Sequence, residues 1–452
     1  MPESHEHRKP QKRLESFAEA LESGRLANIR RMVNELHSAE IGHLLESLPP
    51  HERELVWQLV DRDKDGDVLL DVNDEVRANL IKEMAPEALV AAAEGLDTDD
   101  LADILQDLPD IVIQEVLQSM GMQDRIRLES VLSYPEDTAG GLMNVDTVTV
   151  RANVTLDVVL RYLRLRGEIP EMTDHLMVVD RDDYYLGLLA IGDLLTKDPS
   201  LTVAEVMIHE EQSIPATMPV SEVASLFEQR DLISAPVVDD EGKLLGRITI
   251  DDVVDVIRDE AEHSIMSMAG LDEEDDIFAP VVTSSRRRGV WLGINLATAF
   301  LASWVIGLFD ATIEQIVALA VLMPVVASMG GIAGSQTLTL VIRGMALGHI
   351  GPANASRILV KELAVGALNG VLWALVVGAV AVLWFNDLAI GGIIAVAMVV
   401  NLIAAAFAGA TIPLLMQRLG IDPALSASVV LTTVTDVVGF FVFLGLATVV
   451  LL

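Results

Sequence analysis

The last 29 residues read Ala424-Leu-Ser-Ala-Ser-Val-Val-Leu-Thr-Thr-Val-Thr-Asp-Val-Val-Gly-Phe-Phe-Val-Phe-Leu-Gly-Leu-Ala-Thr-Val-Val-Leu-Leu452. A helix of this length, rising about 1.5 Å per residue, exceeds the ~30 Å hydrocarbon core of a bilayer. Asp436 lies twelve residues from one end and sixteen from the other. A carboxylate near mid-membrane costs at least about 3 kcal/mol, so we expect it to face a cavity or a partner. A structural role, capping a helix or pairing with a basic residue, is the alternative.

Four further apolar stretches precede this one, and each is long enough to cross a membrane. The five spans lie at about 289–309, 315–341, 362–385, 388–415 and 424–452. Basic residues of the membrane part occur only before the first span and in alternate connections, at positions 286–288, 343, 357, 361 and 418. The positive-inside rule therefore places the N-terminus in the cytosol and Leu452 outside.

Charge is distributed unevenly along the 452 residues. The chain has 67 acidic and 31 basic residues, yet 51% of it is hydrophobic and its mean hydropathy is +0.43. Residues 286–452 hold seven basic and six acidic side chains, which leaves 24 basic and 61 acidic ones, a net charge of −37, in residues 1–285. This excludes a one-domain soluble enzyme, and the lack of Cys excludes a disulfide scaffold. The acidic excess disfavours nucleic acid as a partner and favours cations. No signal peptide opens the chain, so we expect the acidic part to stay in the cytosol.

Two internal repeats divide this acidic part. The segment at 39–49 recurs at 99–109, with a weaker copy at 74–84, and all three have helical spacing. Such units predict a solenoid of helix pairs. Further on, Leu176-Met-Val-Val-Asp180 matches Pro236-Val-Val-Asp239 at an offset of 59, each followed by an apolar run and an Asp that opens a helix. This tandem strand–turn–strand–helix unit resembles a pair of CBS domains.

The second span has polar and helix-breaking residues. Pro324 precedes Ser328-Met-Gly-Gly-Ile-Ala-Gly-Ser-Gln336. We expect a span broken by Pro and Gly that faces protein or water, because irregular backbone is otherwise unstable at membrane depth. The alternative is a kinked helix that packs closely through its small residues.

Taken together, the chain resembles the MgtE family of magnesium channels over nearly its whole length. The most specific motifs are Tyr134-Pro-Glu-Asp-Thr-Ala-Gly-Gly-Leu-Met143, Asp422-Pro-Ala424 and Thr432-Thr-Val-Thr-Asp-Val-Val-Gly439. The resemblance implies a multidomain membrane protein with an all-α N-terminal helical solenoid, an α/β tandem CBS pair, a connecting (plug) helix and a five-helix transmembrane domain. The corresponding boundaries are 1–144, 145–258, 259–288 and 289–452.

By this resemblance the protein is a homodimer whose pore is lined by the second and fifth spans of both subunits. Asp436 is then the pore carboxylate that holds hydrated Mg²⁺. The other candidates for the pore lining are Pro324, Ser335, Gln336, Ser428, Thr432 and Thr435. Ser335 and Ser428 stand where relatives have Asn, which leaves the selectivity for Mg²⁺ over Co²⁺ or Mn²⁺ open.

The resemblance also implies that acidic cytosolic residues bind regulatory Mg²⁺ and that the connecting helix closes the pore. Asp99 and Asp103 are four residues apart and hence share a helix face. The further candidates are Asp231, Asp252, Asp255, Asp259 and Glu260. Like charges this dense repel unless cations bridge them. The alternative is that these faces are only solvated.

Weaker motifs in the sequence suggest binding sites for two other ligands, an adenine nucleotide and calcium. CBS pairs often bind ATP or another adenine nucleotide, and Thr249 with Asp252 fits that motif, so a nucleotide and a metal would compete for the same Asp. Asp61-Arg-Asp-Lys-Asp-Gly-Asp67 resembles the start of a calcium-binding EF-hand loop. Its twelfth position is Val72 rather than Glu, which favours an acidic turn instead.

These observations predict a Mg²⁺ channel in a bacterial plasma (inner) membrane, surrounded by lipid and gated by cytosolic Mg²⁺. Divalent cations would enter the cell, each gaining about 4.6 kcal/mol per 100 mV. One alternative is a related transporter for Co²⁺ or Mn²⁺, and another is a CBS-regulated membrane sensor that moves no ion. An enzyme is not expected, because the sequence has no phosphate loop, metalloprotease His pair or nucleophile elbow.

Overall fold

The computed structural model describes residues 26–452, apart from 94–95, 97, 107–109, 210–212, 269, 272–275, 347 and 352. The chain divides into two compact units. The first consists of Met1–Ala261 with Glu274–Ala279, and the second of Glu262–Glu273 with Pro280–Leu452.

The described N-terminal region of the first unit is helical, as predicted. Its helices are α1 (Leu26–Asn34), α2 (Ser38–Glu46), α3 (Pro50–Trp57), α4 (Asp65–Leu70), α5 (Asp74–Glu83), α6 (Pro86–Ala93), α7 (Thr98–Gln106), α8 (Asp110–Ser119) and α9 (Met122–Val131). In α2 the apolar stripe of Ile41, Leu44 and Leu45 is buried. Many helices pack against the next but one, as α2 does on α4 and α6 on α8, which is the pattern expected for stacked helical units.

The segment that resembles an EF-hand loop forms helix instead. Arg62–Lys64 make one 3₁₀ turn, and α4 begins at Asp65. Asp61 accepts a hydrogen bond from Arg30 at 2.8 Å, and a Cβ on Gly66 would lie 2.3 Å from the carbonyl oxygen of Ala92. The segment therefore does not have the conformation of a calcium-binding loop, and it is helical rather than a turn.

Two three-stranded sheets follow and confirm the tandem CBS pair. The first copy contains β1 (Thr149–Arg151), α10 (Leu156–Arg166), β2 (His175–Val179), β3 (Tyr185–Ala190) and α11 (Ile191–Thr196). After α12 (Val203–Val206), the second copy contains β4 (Ile214–Pro215), α13 (Val220–Arg230), β5 (Ser234–Val238), β6 (Leu244–Thr249) and α14 (Ile250–Met268). In each sheet the first strand is parallel and the last antiparallel to the middle one. The middle strands begin at His175 and Ser234, which preserves the offset of 59.

The segment at 138–144 belongs structurally to the second CBS copy. Gly140 N–H donates to the carbonyl of Ala216, and Asn144 N–H donates to that of Arg247, both at 2.8 Å. One apolar cluster runs from α7, α8 and α9 through Met143 into the second copy, whereas the first copy has a core of its own. A Cβ on Gly140 would lie 2.4 Å from the ring of Tyr134, so this glycine permits the close approach.

Within the described residues, five helices are long and apolar enough to cross a membrane, as the sequence predicts, and all of them lie in the second unit. They are α15 (Val281–Gly307), α17 (Val317–Ala346), α18 (Ala355–Phe385), α19 (Leu388–Arg418) and α20 (Pro423–Leu451), with the short α16 (Asp310–Gln315) after the first. α19 is the central helix and packs against α17, α18 and α20.

The membrane helices extend beyond the apolar stretches that predicted them. Arg286–Arg288 lie inside α15, Arg343 inside α17, and Lys361 inside α18, because long basic side chains can reach the interface from a helix end. The connecting region is likewise part of longer helices. Its helical part is the C-terminal portion of α14, which begins at Ile250, and its last residues open α15.

The expectation of a broken second span is wrong. α17 is one helix across Pro324. Some of its small residues are contact points: a Cβ on Gly330 would lie 2.3 Å from Nδ2 of Asn401 in α19. That amide also donates to the carbonyl of Val326 at 2.9 Å and holds α17 against α19. The close packing that belongs to the alternative interpretation is therefore present at Gly330.

Candidate ion groove and acidic cytosolic cluster

An open groove of about 870 Å³ runs along α17 and α20 in the membrane unit, and we call it the ion groove. Its wall on α17 extends from Ala327 to Arg343, about 24 Å along a helix axis. Its wall on α20 contains Thr432 and Asp436. The two α20 residues are four apart, so they lie one above the other on a single helix face.

The ion groove combines a carboxylate with neutral oxygen atoms. Asp436 is partly buried. The Thr432 hydroxyl donates to the carbonyls of Ser428 and Val429 at 3.1 and 3.0 Å, and its oxygen can still accept a hydrogen bond. Gln336 and Ser335 face the same space from α17. Such a set suits a cation that keeps its water, because hydroxyl and amide oxygens can bond the water molecules while the carboxylate supplies charge.

The structure gathers four of the seven predicted pore residues in this groove: Ser335, Gln336, Thr432 and Asp436. The other three are outside its lining. Pro324 is exposed on α17, and Ser428 lies one turn before Thr432 and is partly buried. Thr435 is fully buried, and its hydroxyl donates to the carbonyl of Thr432 at 3.0 Å.

Sequence reasoning did not select Thr339 and Arg343, which also line the ion groove. The signal was present, because small and polar residues recur along α17 at intervals of three or four, the spacing of one helix face. Arg343 brings a positive charge to the groove in the last turn of this helix.

Among the predicted regulatory residues, Asp252 is partly buried and near other carboxylates. Its carboxylate accepts a hydrogen bond from Thr249 at 3.0 Å at the start of α14. Burial, followed by the charges of Asp99 and Asp251, raises the pKa of Asp252 to about 8, although the Thr249 hydrogen bond acts in the opposite direction. Helix α7 thus brings Asp99 to the second CBS copy.

Asp103, one turn after Asp99 on α7, is in a similar environment. Burial, followed by the charge of Glu136, raises the pKa of Asp103 to about 7, while Arg77 opposes the shift. Both carboxyls are therefore unfavourable as anions when no cation is bound. We call Asp99, Asp103, Asp252 and Glu136 the acidic cluster.

The remaining regulatory candidates are exposed. Asp255 and Asp259 contact Arg258 at 3.1 and 3.3 Å. Asp231 ends α13 in the left-handed conformation with a φ of 53°, and Glu260 lies on α14. Within the described ranges, no three His, Cys, Asp or Glu side chains are arranged as a preformed metal site.

The sequence analysis also missed Asp71 and Glu136. Burial raises the pKa of Asp71, His37 lowers it, and Asp255 raises it further, so the end of α4 and the helix α14 are electrostatically coupled. Neither residue has a sequence signal of its own, since its neighbours in space are distant in the chain.

A buried ion pair fixes part of the connecting segment within the first unit. Arg53 and Asp276 are 2% and 6% exposed, and Nη1 of Arg53 lies 2.8 Å from Oδ2 of Asp276. Arg53 also donates to the carbonyls of Leu45 and Leu48, and the amide of Asp276 donates to Glu75. The acidic residues before Asp276, at 272–275, lie outside the described part.

Five membrane helices, a groove with an intramembrane carboxylate and a CBS pair define an integral membrane protein of the cation-transporter class. Three family profiles match the chain: "MgtE intracellular N domain" at residues 36–137, "CBS domain" at 139–199 and 203–259, and "Divalent cation transporter" (MgtE) at 323–446.

Curated relatives match along almost the whole chain. The magnesium transporter MgtE of Thermus thermophilus is 33% identical over 438 residues, which is 96% of this chain and 97% of that protein. The magnesium transporter MgtE of Bacillus subtilis is 25% identical over 428 residues, 95% of each. A crystal structure of the cytosolic domain of the Mg²⁺ channel MgtE in complex with ATP has 34% identity and a TM-score of 0.49, and the match covers 54% of this chain and 99% of that one. The chain belongs to the MgtE family of magnesium transporters.

Proposed function

We propose that this protein is a Mg²⁺ channel whose ion path is the ion groove. The observation that carries the proposal is the convergence of Asp436 and Thr432 from α20 with Ser335 and Gln336 from α17. Membership of a magnesium-transporter family supports the choice of ion. The groove is open along its length, so a second copy of the chain facing it would complete a pore in a homodimer.

In such a dimer two Asp436 carboxylates would face one axis. They would attract a divalent cation strongly and still leave its hydration shell in place, because Mg²⁺ loses water reluctantly. The Thr432 and Ser335 hydroxyls and the Gln336 amide would bond the water molecules. Uptake then needs no energy source beyond the membrane potential.

Orientation follows from the basic residues at the helix ends. With positions 286–288, 343, 357 and 361 on the cytosolic side, the acidic unit lies in the cytosol and Leu452 outside. In a bacterial plasma (inner) membrane, which is negative inside, ions would flow inward through this pore.

Gating would come from the acidic cluster. Without a bound cation, the charge of Asp99 opposes the ionisation of Asp103 and Asp252, Glu136 opposes that of Asp103, and burial makes the charges of Asp103 and Asp252 costly. Cytosolic Mg²⁺ would relieve this repulsion and favour the compact state, in which the connecting segment closes the pore. Falling Mg²⁺ would loosen the cluster and open the pore.

The same cluster could hold a nucleotide. The Thr249 hydroxyl and the Asp252 carboxylate lie 3.0 Å apart, a pairing able to bond a ribose. The first copy has Ala190 and Asp193 at these positions, so only the second offers both groups. ATP and a metal ion would then compete for Asp252.

The test is Mg²⁺ uptake into proteoliposomes, with Co²⁺, Mn²⁺ and Ca²⁺ as competitors. We expect uptake by the parent chain, loss in Asp436→Asn, and normal uptake in Asp310→Asn, which removes an exposed carboxylate of the membrane unit. Competition shows whether a groove with Ser335 still prefers Mg²⁺. Uptake that survives in Asp436→Asn would move the ion site elsewhere. No uptake by the parent, even without cytosolic-side Mg²⁺, would favour a sensor that moves no ion.

A further inference from the structure

A second polar cavity lies in the membrane unit beside the ion groove, and we call it the side chamber. Its volume is about 260 Å³, and α17, α18 and α19 form its walls. Its polar lining consists of Gln336, Thr337, Lys361, Glu362 and Asn369. Polar side chains inside a membrane domain are costly, so five that face one space indicate a function.

The charge of the side chamber comes from Glu362. This carboxylate belongs to the eighth residue of α18, and the residue is only 5% exposed. The Thr337 hydroxyl donates to its Oε2 at 3.2 Å, and Nζ of Lys361 lies 3.1 Å from its Oε1. A buried carboxylate is stable only with such partners.

The two partners of Glu362 differ in mobility. Thr337 is 7% exposed and held within α17, whereas the Lys361 side chain is 59% exposed. Lys361 is the seventh residue of α18, and a long ammonium side chain near a helix end can reach the membrane interface, where water replaces the contact. Among the described residues, the cation bonded to Glu362 is thus one that another cation can displace.

The side chamber adjoins the ion groove. Gln336 and Leu340, which lie in the same stretch of α17, each line both the ion groove and the side chamber. Six water molecules, at about 30 Å³ each, occupy ~180 Å³, so a fully hydrated Mg²⁺ fits in the side chamber. The amides of Gln336 and Asn369 and the Thr337 hydroxyl are groups that can bond its water.

We propose that the side chamber is a second binding site for hydrated Mg²⁺, held by Glu362, and that Lys361 is a tethered cation that competes with Mg²⁺ for this carboxylate. The proposal rests on the proposed function, since it supplies a divalent ion to a groove that conducts such ions. When Mg²⁺ enters, the ammonium of Lys361 moves to solvent. When Mg²⁺ leaves, the ammonium returns and keeps Glu362 neutralised.

The test uses the full chain in lipid nanodiscs with Mn²⁺ as a paramagnetic substitute for Mg²⁺. Because the sequence has no Cys, Leu368→Cys provides a single site for a nitroxide label. Leu368 is 73% exposed, on the same helix as Glu362 and about 9 Å further along its axis. Bound Mn²⁺ broadens the nitroxide spectrum, and added Mg²⁺ should reverse the broadening.

We expect Glu362→Gln to abolish the saturable broadening and Lys361→Gln to shift it to about tenfold lower Mn²⁺, the effect of removing one competing charge. Asp436→Asn should leave it unchanged. Broadening that persists in Glu362→Gln, or that is lost in Asp436→Asn, would overturn the proposal. If Glu362→Gln does not fold, Lys361→Gln decides alone, since an unshifted titration contradicts the competition. If the parent chain takes up no Mg²⁺ in proteoliposomes but Mn²⁺ still broadens the nitroxide spectrum, the proposed channel function is wrong and the proposed binding site in the side chamber is not.

Discussion

The acidic N-terminal part of the chain and its membrane part differ in how their carboxylates are arranged. Residues 1–285 contain 61 acidic side chains, and residues 286–452 contain six. In the first unit, burial and neighbouring charge raise the pKa of Asp103 and Asp252 to about 7 and 8. In the membrane unit, Asp436 and Glu362 lie in separate polar spaces on helices held by close packing. Acidic groups are thus crowded together in the first region, whereas the two carboxylates of the membrane unit are far from other acidic groups in the same space.

The buried ion pair of Arg53 and Asp276 in the first unit should give the largest effect. Arg53→Ala leaves Asp276 buried without its cation, which should lower local stability by about 3–5 kcal/mol. Hydrogen exchange of α2 and α3 measures this loss. The matched control is Arg125→Ala, whose exposed pair with Glu129 at 2.7 Å contributes about 0.5 kcal/mol or less. Equal losses in both variants would mean that the buried pair does not hold the connecting segment.

The rigidity of the membrane unit can be tested through its glycines. Gly330→Ala would place a methyl group 2.3 Å from the Asn401 amide, and such overpacking costs about 1–3 kcal/mol. The thermal melting temperature in detergent should fall. Gly331 has no atom within 4 Å of its Cβ position, so Gly331→Ala is the control and should melt like the parent. A normal melting temperature for Gly330→Ala would show that this contact is not tight.

The crowded carboxylates should set the response to Mg²⁺. Asp252→Asn removes a charge from the acidic cluster, and we expect the Mg²⁺ concentration that protects residues 258–288 from limited proteolysis to rise about tenfold. Asp231 is exposed at the end of α13, so Asp231→Asn should have little effect on this Mg²⁺ concentration. If cleavage of the parent chain is indifferent to millimolar Mg²⁺, the acidic faces are only solvated.

The same cluster should make Mg²⁺ sensing dependent on pH, with a smaller effect. Because the pKa of Asp252 is raised to about 8 and that of Asp103 to about 7, protons compete with Mg²⁺ below these values. As the pH rises from about 6.5 to 8, the apparent affinity for Mg²⁺ should increase three- to tenfold for each pH unit, and above about pH 8 it should level off.

Without Mg²⁺, a rise in pH should instead weaken the fold. Asp103 and Asp252 bind more protons in the folded state than in the unfolded state between about pH 4 and 8. Their contribution to stability is therefore greatest at low pH and is lost as the pH rises through these values. Urea unfolding of the parent chain at pH 6 and 8.5 measures the loss. A stability that is higher at pH 8.5 would contradict the raised pKa values.

Most of the fold could be predicted because its signals are local. The offset of 59 between the CBS copies reappears in the strands, and the five apolar stretches reappear as helices. Helix ends were less predictable, since Lys361 and Arg343 lie inside helices although they look like loop residues. The predicted break at Pro324 was wrong: α17 is one helix there, and Asn401 of α19 bonds to the carbonyl of Val326, two residues after the proline.

The sites were only partly predictable. Asp436 stands out because a carboxylate is rare in an apolar stretch, but the rotation of α20 decides that Thr432 faces the ion groove while Thr435 is buried. That rotation is set by packing and has no local signal. The pairing of Asp252 with Asp99 joins residues far apart in the chain. From the sequence alone, Glu362 is a residue at the edge of a span, and only the structure shows that Thr337 of α17 bonds to it.

The docking of residues 138–144 on the second CBS copy has a consequence for synthesis of the chain. Asn144 bonds with Arg247, about 100 residues later. At a translation rate of about 5–20 residues per second, the partner emerges roughly 5–20 s after Asn144. During that interval the apolar faces of α7 to α9 lack the second half of their shared core. The apolar faces of α7 to α9 are therefore completed only when β5 and β6 have been made, whereas the helices before them have a core of their own.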